Sequence, residues 1–228
     1  MPSWLIIVGA VIVIYTIYYK FIRLQEYYDV QDYPVMQEFH QAFNEIKSEA
    51  ESVRDFEIHD IQRSRNVWSG SKPEQCMKFA EKYANITGWL PAWSPGTSAI
   101  NYRWTNFPLI ALGVRFENNL KYCPKLNELI TKYQDRINIA GFSLMTPGSE
   151  IPAHTDDTGI KFNSLAYHLG LVVPESGKCN LIVNGIEKIQ QEGQSIIFDS
   201  TYEHSAQNNT LEDRIILYMD FKIPDKKE

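Results

Sequence analysis

The pattern of hydrophobic and polar positions changes twice along this chain. The opening stretch, "MPSWLIIVGAVIVIYTIYYKF", has no periodicity and no charged side chain before Lys20. About 17 to 20 apolar residues in a helix cross a hydrocarbon core of roughly 30 Å, and Trp4, Tyr15, Tyr18 and Tyr19 fall where interfacial aromatics belong. No basic n-region and no small-x-small cleavage site precede the aromatics, so residues 1–22 read as a transmembrane anchor and not a removed signal peptide. Lys20 and Arg23 follow the apolar run, which puts the body of the protein on the cytoplasmic side of the membrane.

From Pro34 the pattern becomes helical. Val35, Phe39, Phe43, Ile46, Ala50 and Val53 recur at helix spacing through "PVMQEFHQAFNEIKSEAESV", predicting one helix with a single buried stripe in a juxtamembrane segment 23–70. A second helix is expected from "SKPE", with Ser71 as cap, Pro73 in the first turn and Glu74 completing a capping box. A third is expected from Pro124 to about Tyr133. Between them, "GWLPAWSPGTSAINYRWTNFPLIALG" is rich in Trp, Pro and Gly and reads as loops and short strands.

After about Arg136 the period shortens again. "RINIAGFSLM", "SLAYHLGLVV", "CNLIV", "IEKIQQ", "QSIIFD" and "RIILYMDF" are β-rich runs divided by Gly, Pro and Asn, an all-β core of roughly eight strands. "LIVNGIEKI" is a hairpin with a type I′ turn at Asn184-Gly185. Short antiparallel strands with hairpin returns predict a mainly β domain, residues 71–228, with flanking helices and a jelly-roll or cupin-like core; the pattern equally allows an immunoglobulin-like sandwich.

Composition narrows the function. The 228 residues are 44% hydrophobic and 13% aromatic, enough for a packed core. A net charge of −6 without any basic cluster argues against a nucleic-acid partner. Cys76, Cys123 and Cys179 are odd in number and widely spaced, fitting neither a disulfide framework nor a CxxC zinc site, and read as thiols in a reducing compartment. The triplets Asn85-Ile86-Thr87 and Asn208-Asn209-Thr210 match the glycosylation pattern, without meaning on a cytoplasmic domain.

The chemistry gathers around "EIPAHTDDTG". Extended backbone at Ile151 and Pro152 would aim His154 and Asp156 to one side and Asp157 to the other. Alone, the triplet is as well explained by a surface turn. About fifty residues later comes His204 in "YEHSAQNNTLEDR", followed by Arg214. Two histidines and one carboxylate on one face of an octahedron are how non-haem ferrous oxygenases hold iron, leaving positions free for a 2-oxo acid and dioxygen. Arg214 opens the last β run on the same face as Ile216 and Tyr218, and its planar fork suits the far carboxylate of 2-oxoglutarate.

With these residues in view the chain resembles the aspartyl/asparaginyl β-hydroxylase family of Fe(II)/2-oxoglutarate dioxygenases, from about Trp104 to Pro224. The matching stretches are "YCPKLNELI", "FSLMTPGSEIPAHTD", "YHLGLVVP", "FDSTYEH" and "DRIILYMDF". The resemblance implies a double-stranded β-helix core, iron on His154 and His204, to which the HxD reading adds Asp156, and 2-oxoglutarate held by Ser143, His168 and Arg214. It matches Trp104 to a pocket-lining aromatic. Two departures stand out: the animal aspartyl hydroxylases have glycine at the position of Asp156, and an arginine near that of Ala166. The bacterial branch that hydroxylates lipid A acyl chains is similar in layout, with one membrane segment, a following helix, an HxD and a "DRIIL"-like strand. The expectation is a membrane-anchored hydroxylase acting on a C–H bond of a peptide Asp/Asn side chain or a lipid acyl chain. The rival is an anchored cupin-like metal-binding or structural module without turnover.

Overall fold

A computed structural model describes residues 25–61, 73–93, 100–156 and 163–223. The expected anchor at 1–22, the Ser71 cap and Asp157 lie outside these residues. Among the described residues no helix is long and apolar enough to cross a membrane.

Among the described residues, twelve strands make two antiparallel sheets. They are β1 (Tyr27–Tyr28), β2 (Leu90–Trp93), β3 (Ile100–Ala111), β4 (Val114–Arg115), β5 (Ile137–Met145), β6 (Ser149–His154), β7 (Ser164–Val172), β8 (Lys178–Val183), β9 (Ile186–Ile189), β10 (Ser195–Phe198), β11 (His204–Asn209) and β12 (Arg214–Lys222). The large sheet runs β1-β10-β7-β12-β5-β3-β2, with β4 paired to β3, and the small sheet runs β6-β11-β8-β9. Chain-adjacent strands alternate between the sheets, as β5, β6 and β7 do, so the two sheets wrap one interior. That is the double-stranded β-helix and not the immunoglobulin-like alternative.

The strand runs read from the sequence all form. Asn184 and Gly185 take φ of 50° and 78°, the two positive values a type I′ turn requires. The stretch read as loops and short strands instead contains the twelve-residue β3. Pro108 and the Trp-rich texture masked it. Proline is accommodated where the β3–β5 register slips between Pro108 and Ile110, and Pro108 lies opposite Gly141, where any Cβ would run into Phe107 O.

The helices cover one face of the large sheet. The expected single helix is two, α1 (Pro34–Gln41) and α2 (Phe43–Ser52), broken at Ala42. They are followed by α3 (Pro73–Tyr83), α4 (Glu117–Leu120) and α5 (Pro124–Lys132). Met36, Phe39, Ile46, Ala50 and Val53 share one core with Leu126, Ile130, Phe142, Leu169, Leu217 and Met219. The segment 23–70 therefore contributes helices to the β domain's own core. Glu49 on α2 accepts hydrogen bonds from the amides of Lys125 and Leu126, capping an α5 N-terminus that has no side-chain cap of its own. Cys76, Cys123 and Cys179 are buried and form no disulfide.

Candidate active site

A second, smaller cluster lies between the sheets. Met145, Ala166, Leu181, Val183, Ile196, Phe198 and Ala206 are its buried members, with Trp104, Ile151, Tyr202, Tyr218 and Tyr27 packed against them. Register places the expected site residues on this inner face. Trp104, Met145 and Arg214 form one rung, Ser143 and Ile216 the next, and Tyr218, His168 and Ile196 the one after. The small sheet answers with His204 between His154 and Val183, and at its other end Asn208 between Ser149 and Cys179.

His154, Asp156 and His204 converge, their ligand atoms all within 4.8 Å of one another. Asp156 stands 3.8 Å from His154 Nε2 and 3.6 Å from His204 Nε2, and the two rings are 4.2 Å apart. Asp156 lies just beyond the end of β6, so pleat alternation does not place it as the sequence suggested. Its amide donates to Ser200 O at 2.9 Å, which holds the turn against the β10–β11 connection.

Both histidines are oriented in the same way. Nδ1 of His154 donates to Pro152 O at 2.8 Å and Nδ1 of His204 to Tyr202 O at 2.9 Å. A carbonyl only accepts, so each Nδ1 carries a proton and each Nε2 is the ring nitrogen turned toward the cluster centre. Burial pulls the His204 pKa below the usual histidine value against the opposing pull of Asp156. Two imidazole nitrogens and a carboxylate brought together in this way fit a divalent first-row cation such as Fe(II).

At the far end of the interior is Arg214. It is 0% exposed, and none of its three guanidinium nitrogens has a hydrogen-bond partner among the described residues. Burial pushes its pKa down to about 10, which leaves it cationic at neutral pH. A buried, charged, unpaired fork is costly unless an anion completes it, and a carboxylate matches its geometry.

Between Arg214 and the triad stand two more donors. Trp104 Nε1 donates to Ser143 Oγ at 2.9 Å, so the Ser143 hydroxyl proton is free to point elsewhere. Gln190 Nε2 donates to His168 Nδ1 at 3.1 Å, which puts the His168 proton on Nε2. Burial, with Arg214 and His204 nearby, holds His168 well below the usual histidine pKa and therefore neutral. The three groups expected to bind a cosubstrate thus present an N–H, an O–H and a cationic fork on one wall, opposite the metal-type donors.

A model of the family described as aspartyl/asparaginyl beta-hydroxylase matches residues 40–224. The chain belongs to that family. The ornithine lipid ester-linked acyl 2-hydroxylase of Rhizobium tropici is 38% identical over 129 residues, covering 56% of this chain and 44% of that protein. The human aspartyl/asparaginyl beta-hydroxylase is 32% identical over 126 residues, 54% of this chain and 16% of that one. Protein L888 of Acanthamoeba polyphaga mimivirus is 26% identical over 204 residues, 86% of this chain and 70% of that one. The chain thus spans less than half the length of the first two relatives. Among solved structures, the Schizosaccharomyces pombe Cnp3 cupin domain is similar with a TM-score of 0.36 and 14% identity, over 60% of this chain and 87% of that one.

Several residues that the sequence left without a role lie against this candidate site. Phe198 touches the rings of both His168 and His204, at 5.0 and 5.4 Å, and Tyr218 lies 5.6 Å from His168. Burial, with Asp156 close by, raises the Tyr218 pKa well above the usual value and keeps its hydroxyl protonated. Gln190 was invisible because it follows the edge strand β9 and reaches His168 only through the fold. Asn208, the buried sequon asparagine, donates to Met145 O, Thr146 O and Glu212 O and accepts from Thr210, so it is a structural clamp.

Proposed function

We propose that this protein is an Fe(II)- and 2-oxoglutarate-dependent hydroxylase. The buried, unpartnered guanidinium of Arg214, on the wall that faces the triad across the interior, carries the reading. A cupin-like module that merely held a metal would have no use for a costly unpaired cation at the end of its barrel. His154, Asp156 and His204 would hold the iron. Arg214 would clamp the far carboxylate of 2-oxoglutarate, while Ser143 and His168 would donate to its oxygens. When bound, the pair supplies oxidative decarboxylation of 2-oxoglutarate to succinate and CO₂ with transfer of one dioxygen oxygen into a C–H bond. The apolar walls keep water from the reacting atoms, and Trp104 holds Ser143 in its donating orientation.

The favoured substrate is a lipid acyl chain. Among the described residues, the inner face beside the triad carries Ala166, Phe198 and Val183, which offer apolar contact of the kind an acyl chain makes. The acyl hydroxylase from Rhizobium tropici supports this reading, and the aspartyl/asparaginyl hydroxylases support the peptide alternative. The apolar run from Trp4 to Tyr19 supports an anchor that holds the domain beside the bilayer, and Lys20 and Arg23 support its cytoplasmic face.

Succinate release with Fe(II), 2-oxoglutarate and a panel of acyl lipids and Asp/Asn peptides tests both levels. Turnover stimulated by lipids is expected. Stimulation by peptides alone overturns the substrate reading, and no succinate under any condition, with no binding of 2-oxoglutarate, overturns the enzyme.

A further inference from the structure

Two members of the triad, Asp156 and His204, are bonded to the β10–β11 connection, and that connection leads back to a short segment at the start of the described chain. Glu26 O accepts the Asp199 amide at 3.1 Å. Asp199 Oδ1 in turn accepts from the Thr201 amide at 2.9 Å, which shapes the connection from β10 to β11. Within that connection, Ser200 O takes the Asp156 amide and Tyr202 O takes the His204 ring. Glu203 O accepts the Asn184 amide at 2.8 Å, and Asn184 Nδ2 donates back to the Glu26 carboxylate at 2.8 Å. The bonds close a ring that starts and ends at Glu26.

Tyr27 fastens the same ring to both sheets. Its backbone pairs with Phe198, the residue whose ring touches His168 and His204. Its hydroxyl donates to Ile186 O at 2.8 Å and shares the proton with Leu181 O at 3.1 Å, on the β8–β9 hairpin of the small sheet. Its ring joins the inner cluster, covered by Lys188 at 4.3 Å. The large sheet ends at β1 on this side, so Tyr27 ties that edge to the small sheet's hairpin beside the triad.

We propose that Glu26 and Tyr27 form a latch that positions the metal ligands, with Tyr27 as the principal positioning residue. The inference rests on reading His154, Asp156 and His204 as metal ligands. Tyr27 touches none of them. It acts by fixing the β10–β11 connection, whose carbonyls set the His204 tautomer and the placement of Asp156. Partners of this kind that orient metal ligands at one remove are worth about ten- to a hundredfold in metal affinity, and Tyr27 acts one step further out, so about tenfold is expected.

The test uses the full chain and Co(II) in place of iron, with binding read by calorimetry and by the visible absorption bands of bound Co(II). Tyr27→Ala should weaken Co(II) about tenfold and alter the bands. Tyr27→Phe keeps the ring and loses the hydroxyl bonds, and should fall between Tyr27→Ala and the parent. Leu126→Ala, in the helical core away from the seam, is the control for simple loss of stability. It should lower the melting temperature at least as much and leave affinity and bands unchanged. Unchanged Co(II) affinity in both Tyr27 variants, or an equal loss in Leu126→Ala, overturns the latch. Failure of the parent to bind Co(II) overturns the metal reading beneath it.

Discussion

The stretch from Phe142 to Met145 has two sides that look alike by exposure and differ in chemistry. Phe142 and Leu144 face the helices, Ser143 and Met145 face the space between the sheets, and none is more than 8% exposed. On the helix side Phe142 packs against Phe107, with ring centres 6.0 Å apart, and apolar neighbours fill the face. On the inner side the same strands carry Ser143, His168 and Arg214, with three guanidinium nitrogens left unbonded. Stability and function are thus separated by one residue of strand period. Burial does not tell the faces apart; the charged and hydrogen-bonding groups gathered on the inner one do.

If the helix side carries the stability, Phe142→Ala should break it most. A fully buried Phe→Ala change costs about 3–5 kcal/mol. Denaturant unfolding should show that loss, while the Michaelis constant for 2-oxoglutarate of the molecules that remain folded stays near the parent's. A matching shift in that constant would mean that the faces are mechanically coupled.

On the inner side, Asp156→Ala should cut succinate formation by more than about a hundredfold, a larger effect than loss of a residue that only orients a ligand. The melting temperature of the metal-free protein should barely move, because Asp156 lies beyond the strand end and is partly exposed. Parent-like turnover would reduce the metal site to its two histidines.

Arg214 sharpens the contrast, since its two substitutions should move stability and function in opposite senses. Arg214→Lys keeps the charge without the fork and should raise the Michaelis constant for 2-oxoglutarate by about tenfold. Arg214→Met replaces a buried unpaired charge with an apolar chain, so the ligand-free protein should gain about 1 kcal/mol or more while losing 2-oxoglutarate binding. A lower melting temperature for Arg214→Met would show that the guanidinium already has a partner.

Much of the inner face was legible in the sequence because it is written in strand period and in the order HxD, His, Arg. His154 and His204 converge, and Ser143, His168 and Arg214 lie on successive rungs of the large sheet. Asp156 also arrives, but through its amide bond to Ser200 and not by pleat alternation. What the sequence hid depends on contacts between distant segments. β3 was masked by Pro108, whose place is made by Gly141 on the neighbouring strand. β11, "HSAQNN", has no strand-like texture, and its pairing with both β6 and β8 makes it a strand. Gln190 and Tyr27 act across 22 and 154 residues of chain, respectively, which no local pattern encodes.

The smallest effect concerns a polar group on the helix side. Glu49 is 8% exposed; burial raises its pKa more than the amide bonds from Lys125 and Leu126 lower it. A carboxyl whose folded pKa lies above its unfolded value stabilises the fold most when protonated. That contribution is full below the ordinary carboxylate range and is lost as pH rises through the folded pKa. Glu49→Gln mimics the protonated form, keeps an acceptor for one amide and does not titrate. The parent and the variant should therefore unfold alike near pH 4, and by about pH 7 the variant should be ahead, by less than about 1 kcal/mol. Unfolding free energies measured across that range decide the sign. If the variant loses ground as pH rises, the two amide bonds outweigh burial and the ionised carboxylate is the form the fold prefers, which would place a charge-assisted cap inside the otherwise apolar helix layer.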